Sequence, residues 1–245
     1  MKPPEAGDLL NTWEKGLNQA PLQRALILLG AAYPETSPEQ LAKLTIGQRD
    51  QQLLRFRQTL FGQQLSSTAV CPECNGRLEW EDRVEKFLAV SDDDLLTGRE
   101  FELNTDDYSL HFRLPNSLDV ETAISDEKIG IAPHQLLSRC LIEARCSGET
   151  CDFSELPGSV VQRLEQEIET LDPQADLQIH MNCPACSHQW VVLFDITAYL
   201  WKEINAWAGQ MLQTICRLAA AYGWSEQQIL RISPVRRQLY LGMLG

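Results

Sequence analysis

Cys71-Pro72-Glu73-Cys74 and Cys183-Pro184-Ala185-Cys186 are two copies of one pattern, each set between short segments that read as β-strand. A Cys-x2-Cys turn holds two thiolates on one side of a tight loop, and two such turns supply the four soft ligands of a closed tetrahedral structural site. The pattern predicts one structural Zn2+ held by Cys71, Cys74, Cys183 and Cys186. Because the turns lie far apart in sequence, the metal would join distant parts of the chain. A cross-link closing a loop of about 100 residues restricts the unfolded chain by about 4.7 kcal/mol on the chain-entropy model, which makes the metal a folding element.

The local residue choices agree with a knuckle. Proline after the first cysteine presets φ for the turn, and the residue after the second cysteine needs positive φ. That residue is Asn75, followed by Gly76, in the first copy and Ser187 in the second. Asn tolerates the left-handed region well and Ser less so. The competing readings are a disulfide pair or two unrelated buried pairs. Met1-Lys2-Pro3-Pro4-Glu5 opens into a charged segment without the character of a signal peptide, which disfavours disulfides. Four cysteines leave no open coordination position for a catalytic metal. His188 is the candidate to replace a thiolate, although the strand pattern starting there turns it outward.

Working outward, the first 62 residues read as helical. Leu10, Trp13 and Leu17 recur at helical spacing, Pro21 starts an apolar helix, and Ser37-Pro38 is an N-cap with proline at the first helical position. Thr45 with Gln48 forms a capping box for a helix that Gly62 closes. Arg49, Arg55 and Arg57 on that helix read as a solvated face. From Ser66 the period changes to two, with strand segments ending at Val70 and Trp80 and at 101–103 and 108–114. Asp92-Asp93-Asp94 lacks the Gly turn and closing Glu of a calcium loop and reads as an acidic loop. Helical patterns return at 118–125, 134–145 and 159–171.

The second ribbon half runs through 177–181 and 189–194. Then come a long helix from Ile196 to Tyr222, a capping box at Ser225 and Gln228, and a last helix starting at Ser233-Pro234. The fold expected is α+β: a helical N-terminal region (1–62), a small antiparallel zinc-ribbon-like β module with inserted helices (63–195), and a helical C-terminal region (196–245). Cys140, Cys146 and Cys151 would need Cys216 or His134 to complete a second metal site and read instead as core cysteines. His111 and His180 fall in strand patterns.

Composition limits the functional classes. The 245 residues are 44% hydrophobic and 22% charged, as expected of a soluble globular protein with a sizeable core. Twenty-one basic against 34 acidic residues give a net charge of −13. A field of that sign repels phosphate, so nucleic acid is not the expected partner. No apolar run approaches the roughly 20 residues that span a bilayer, and the expected location is cytoplasmic.

Several phrases together carry a family resemblance. They are Tyr199-Leu-Trp-Lys-Glu-Ile-Asn-Ala-Trp-Ala208, Leu218-Ala-Ala-Ala-Tyr-Gly-Trp-Ser-Glu226 and Ile232-Ser-Pro-Val-Arg-Arg-Gln-Leu-Tyr-Leu241, with Arg113-Leu-Pro-Asn-Ser-Leu-Asp119 and Cys183-Pro-Ala-Cys-Ser-His-Gln-Trp190 before them. Over roughly residues 45 to 245 the chain resembles the T4-like bacteriophage baseplate protein family, whose members occur in contractile phage tails and contractile injection systems. The departure is Val235, where a larger aromatic is typical.

The resemblance implies a non-enzymatic part in building a baseplate or hub, as a component that stays in the tail particle or as an assembly chaperone, with other baseplate subunits as partners. The aromatic and arginine-rich tail offers Trp224, Arg236, Arg237 and Tyr240 as candidate partner contacts. Two other classes compete. A zinc-ribbon nucleic-acid binder would use Arg77, Trp80 and Arg83 beside the first knuckle. A zinc hydrolase would need a general base near the metal, and the sequence nominates none.

Overall fold

The computed structural model describes residues 3–88, 98–105, 107–125 and 133–244. Its first part runs through helices α1 (Ala6–Gly16), α2 (Pro21–Ala32), α3 (Pro38–Ala42) and α4 (Ile46–Phe61), the hairpin β1 (Gln64–Val70) and β2 (Arg77–Arg83), and strands β3 (Glu100–Asn104) and β4 (Tyr108–Arg113). There follow α5 (Ser117–Ser125), α6 (Pro133–Cys140), β5 (Leu141–Cys146), β6 (Glu149–Thr150) and α7 (Gly158–Leu171). The hairpin β7 (Gln178–Asn182) and β8 (Gln189–Leu193) precedes α8 (Ile196–Tyr222), α9 (Glu226–Arg231) and α10 (Pro234–Gly242). This is an α+β protein with small antiparallel sheets. Asp92, Asp93 and Asp94 lie outside the described residues.

Local chemistry sets the helix ends. Ser37, Thr45 and Ser225 each accept a backbone N–H three residues on, while Gln40, Gln48 and Gln228 return the bond to the cap. Each box satisfies two donors that a helix start leaves open. Gly62 ends α4 and Gly223 follows α8, both at positive φ. Arg57 departs from the solvated face expected of it: its side chain is buried, and Nη1 donates to the Gly62 carbonyl at 2.8 Å. The guanidinium thus satisfies a carbonyl just beyond the C-terminal end of its own helix.

The chain divides into two compact units, Glu35–Ile196 and Met1–Pro34 with Thr197–Gly245. The first of these contains the sheets. Its four-stranded sheet has the order β3-β4-β5-β6, and one face carries Leu103, Leu110, Phe112 and Ala144 onto Val160, Val161 and Leu164 of α7. A helical reading of 134–145 is corrected here, because the helix stops at Cys140 and Leu141–Cys146 pairs with β4 instead. Pairing Leu110 with Ala144 places Ala144 in the core, a gain that outweighs the helical preference of this segment. A register shift between His111 and Phe112 accommodates the join.

Two contacts pin α4 inside this unit. The Gly47 N–H donates to Asp172 Oδ2 at 2.9 Å, and any Cβ at position 47 would collide with that carboxylate. The Arg113–Asp119 phrase is a clamp: Asp119 accepts from both Arg113 terminal nitrogens at 2.6 and 2.7 Å, while the Asn116 side chain caps α5 by accepting from the Leu118 and Asp119 N–H groups. Pro115, inside the same phrase, accepts from the Ile46 N–H at the start of α4.

The other unit is helical. Leu10, Ala208, Ile215, Leu218 and Ile229 form its core, with Trp13, Trp207, Tyr222, Trp224 and Tyr240 packed against them. Trp13 Nε1 donates to Asn205 Oδ1 at 2.9 Å, tying α1 to α8. Arg24 lies over the Trp201 ring at 4.6 Å and donates to the Gly16 and Leu17 carbonyls at the end of α1. Among the described residues no helix is long and apolar enough to cross a membrane.

Candidate metal centre

Each Cys-Pro-x-Cys segment closes an antiparallel hairpin, β1 against β2 and β7 against β8. The two turns use the same backbone bonds. The Cys71 N–H donates to the Gly76 carbonyl at 2.9 Å and the Asn75 N–H to the Cys71 carbonyl at 3.0 Å. Their counterparts are Cys183 to His188 at 2.9 Å and Ser187 to Cys183 at 2.8 Å. Asn75 and Ser187 take φ values of 55° and 61°, the left-handed step that lets the second cysteine point the same way as the first. Gly76 has a second reason to lack a side chain, since a Cβ there would stand 3.2 Å from Cys74 Sγ.

The hairpins bring all four sulfurs within 4.8 Å of one another. Cys71 Sγ lies 3.6 Å from Cys186 Sγ and Cys74 Sγ lies 3.6 Å from Cys183 Sγ, so the close pairs cross between the knuckles. Four sulfurs at the corners of a tetrahedron with metal–sulfur bonds of about 2.3 Å stand about 3.8 Å apart. The cluster fits that shape. All four are free thiols, and 3.6 Å is far beyond the roughly 2.05 Å of a disulfide. In both knuckles the first cysteine is buried and the second exposed. The Cys186 and Ala185 N–H groups draw the Cys183 thiol down to about 7. Against the pull of the His188 N–H, burial and the three neighbouring sulfurs push the Cys186 thiol up to about 12, so without a cation the cluster does not ionise as a whole. Four thiolates this close would repel one another, so holding all four deprotonated would take a cation between them. The arrangement can hold a metal ion in a closed, four-sulfur shell.

His188 is not part of that shell. Its ring stacks on Trp190 at 5.9 Å, and its carbonyl, not its imidazole, serves the knuckle. Among the described residues the four knuckle cysteines form the one group of three or more metal-ligating side chains gathered within reach of an ion. Among the described residues Cys140, Cys146, Cys151 and His134 do not form such a group. Cys140 is buried, and burial together with the Asp119 charge pushes its thiol up to about 12. His134 meets the Phe153 ring edge-on at 6.4 Å.

The four residues named as partner contacts fall into different surroundings. Tyr222 stacks on Trp224 at 4.6 Å, and Tyr240 meets Trp224 edge-on at 5.0 Å. Trp224 and Tyr240 are half-buried within the helical unit. Arg237 is only 4% exposed and its Nη1 has no hydrogen-bond partner among the described residues; burial holds its pKa below the ordinary guanidinium value. Arg236 is exposed and donates to the Tyr240 hydroxyl at 3.4 Å. Sequence reasoning missed the exposed side of the same helix, where Val235, Leu239 and Met243 stand in one row. Their spacing of four was the available signal.

Residues 9–201 match the family described as T4 bacteriophage base plate protein. The match takes in most of α1 and all of α2, which the sequence resemblance left out, and it ends inside the Tyr199–Ala208 phrase, short of the later tail phrases that had carried part of the resemblance. No curated protein and no solved structure gives a significant match. Because the matched span covers most of the chain and includes both knuckles, the protein belongs to the T4 bacteriophage base plate protein family.

Proposed function

We propose that this chain is a non-enzymatic structural or assembly component of the baseplate or hub of a contractile phage tail or contractile injection system, stabilised by one structural zinc on Cys71, Cys74, Cys183 and Cys186. The observation that carries the reading is a four-sulfur cluster drawn from two hairpins distant in sequence, inside a chain whose residues 9–201 match the baseplate family. A closed sulfur shell offers no position for substrate or water, which suits a scaffold better than a hydrolase. Zinc is favoured over other ions because it accepts tetrahedral thiolate coordination without redox chemistry. Other baseplate subunits are the partners, and assembly begins in the cytoplasm.

Trp80, which a nucleic-acid reading would use for stacking, packs against Phe87 at 5.7 Å and Phe194 at 6.0 Å. With a net charge of −13, double-stranded DNA is expected to bind more weakly than micromolar near physiological salt; fluorescence anisotropy showing tighter, salt-dependent binding would promote the regulator reading. Mass spectrometry of purified tail particles and of their assembly intermediates tests the main proposal. Presence in either supports it, finished particles indicating a permanent component and intermediates alone a chaperone. Absence from both overturns it. Elemental analysis of metal-replete protein should return one zinc per chain, and none would remove the metal from the proposal.

A further inference from the structure

Helix α10 is held on one side and bare on the other. Tyr240, Leu241 and Leu244 pack into the helical core, and Tyr222 Oη donates to the Tyr240 carbonyl at 3.3 Å. Opposite them Val235, Leu239 and Met243 are 71%, 59% and 72% exposed. Their i, i+4, i+8 spacing makes a single apolar row. Arg236 stands exposed at its edge, Arg231 of α9 is exposed as well, and residues 227 to 244 contain no Asp or Glu, in a chain of net charge −13. A rigidly supported helix with three apolar anchors and a basic flank is the ligand half of helix-in-groove recognition.

We infer that this face of α10 docks into an apolar groove rimmed by carboxylates on another baseplate subunit, an assignment that rests on the baseplate reading above. Charge selects the occupant. A second copy meeting this face about a two-fold axis would bring two basic edges together, with no carboxylate from residues 227 to 244 to offset them. Anionic lipid and nucleic acid present extended phosphate arrays, which the chain's overall negative field opposes, whereas a local carboxylate rim meets the local basic edge. The aromatic packing behind α10 fixes the helix before binding, so little ordering entropy remains to oppose docking.

The test places a photoreactive benzoylphenylalanine at position 239 of the full chain, with the exposed Gln213 of α8 as the control position, followed by irradiation in assembling tails and sequencing of the cross-linked peptides. Position 239, and not 213, should cross-link to a segment of another baseplate subunit in which apolar residues lie beside Asp or Glu. Arg236→Glu should cut that yield about tenfold and Arg236→Lys should retain it, because a like charge at the rim repels the partner. Unchanged thermal unfolding would show that both variants fold. Cross-links to a second copy, to lipid or to nucleic acid overturn the inference, as do equal yields at the two positions or none at 239. If the chain is in the particles and 239 does not cross-link, the inference fails alone. If the chain is absent from particles and intermediates and 239 cross-links to a carboxylate-rimmed groove of a protein foreign to tails, the baseplate reading and the named partner fail together, and only the docking face stands. Absence from both particles and intermediates with no cross-link overturns both.

Discussion

The hairpins β1–β2 and β7–β8 reach the same knuckle with unequal support. Backbone bonds, positive φ after the second cysteine and the buried-then-exposed order of the sulfurs agree between them. Side-chain anchoring does not. Trp80 of the first hairpin packs against Phe87 and Phe194, and Leu65 is fully buried. In the second, Met181 is buried and Phe194, just after β8, shares the Trp80 contact, but Trp190 stacks on His188, and Val191, Val192 and Leu193 are all exposed. Ligand geometry is a property of the turn, while attachment to the rest of the protein is a property of the strands. The second hairpin therefore depends more heavily on the sulfur cluster.

Removing the ligands breaks the comparison most strongly. Cys71→Ser with Cys183→Ser is expected to abolish metal binding and to lower Tm by roughly 10 °C, since a metal that binds only the folded chain stabilises it by mass action. Hydrogen exchange on the variant should show β7–β8 amides losing protection before those of β1–β2. Equal loss in both hairpins would mean that the side-chain anchors of the first contribute little.

The tryptophans come next. Trp80→Ala removes a half-buried ring that touches two phenylalanines and should cost about 2 kcal/mol, below the range for a fully buried aromatic. Trp190→Ala, which gives up a stack on a histidine, should cost less than about 1 kcal/mol. Urea midpoints with unchanged m-values would measure both.

A third difference lies inside the turns. At the fifth position after the first cysteine the knuckles carry Gly76 and His188. A Cβ at 76 would crowd Cys74 Sγ at 3.2 Å, so Gly76→Ala should weaken metal affinity about tenfold by displacing one ligand, in line with the usual cost of disturbing the groups that orient a metal's ligands. His188→Ala should leave affinity unchanged, because the imidazole supplies no ligand. Competition with a chromophoric chelator reads both.

These contrasts show what a sequence discloses. The knuckles, the capping boxes at Ser37, Thr45 and Ser225, and the span of α8 were legible because each depends on residues a few positions apart. The strand β5 was not, because Leu141–Cys146 is extended only through pairing with β4 and packing on α7. Arg57 escaped for a similar reason, its partner being the carbonyl beyond the end of its helix. Arg236 and Arg237 read as one exposed pair, yet neighbours in a helix point about 100° apart, so one side chain is buried and the other open. The sulfur cluster was readable since metal chemistry fixes which residue types meet. The apolar row on α10 was hidden because exposure is decided by packing on its opposite side.

The smallest expected effect sharpens the comparison at a single backbone angle. Asn75 and Ser187 occupy the left-handed region at 55° and 61°, where an L-residue other than Asn or Asp pays about 1 kcal/mol or more. Ser187→Asn should relieve part of that strain and raise stability by about 0.5 kcal/mol without changing the entropy of the unfolded chain much. Ser187→Gly should gain less, since glycine removes the same strain but loosens the unfolded state by a comparable amount. Asn75→Gly should be neutral or slightly destabilising, because little strain remains to be relieved. Denaturant midpoints on metal-replete protein would rank the three. Should Ser187→Asn lower stability, the serine hydroxyl would be holding a contact that outweighs its backbone strain, and the two knuckles would differ in their bonding as well as in their residues.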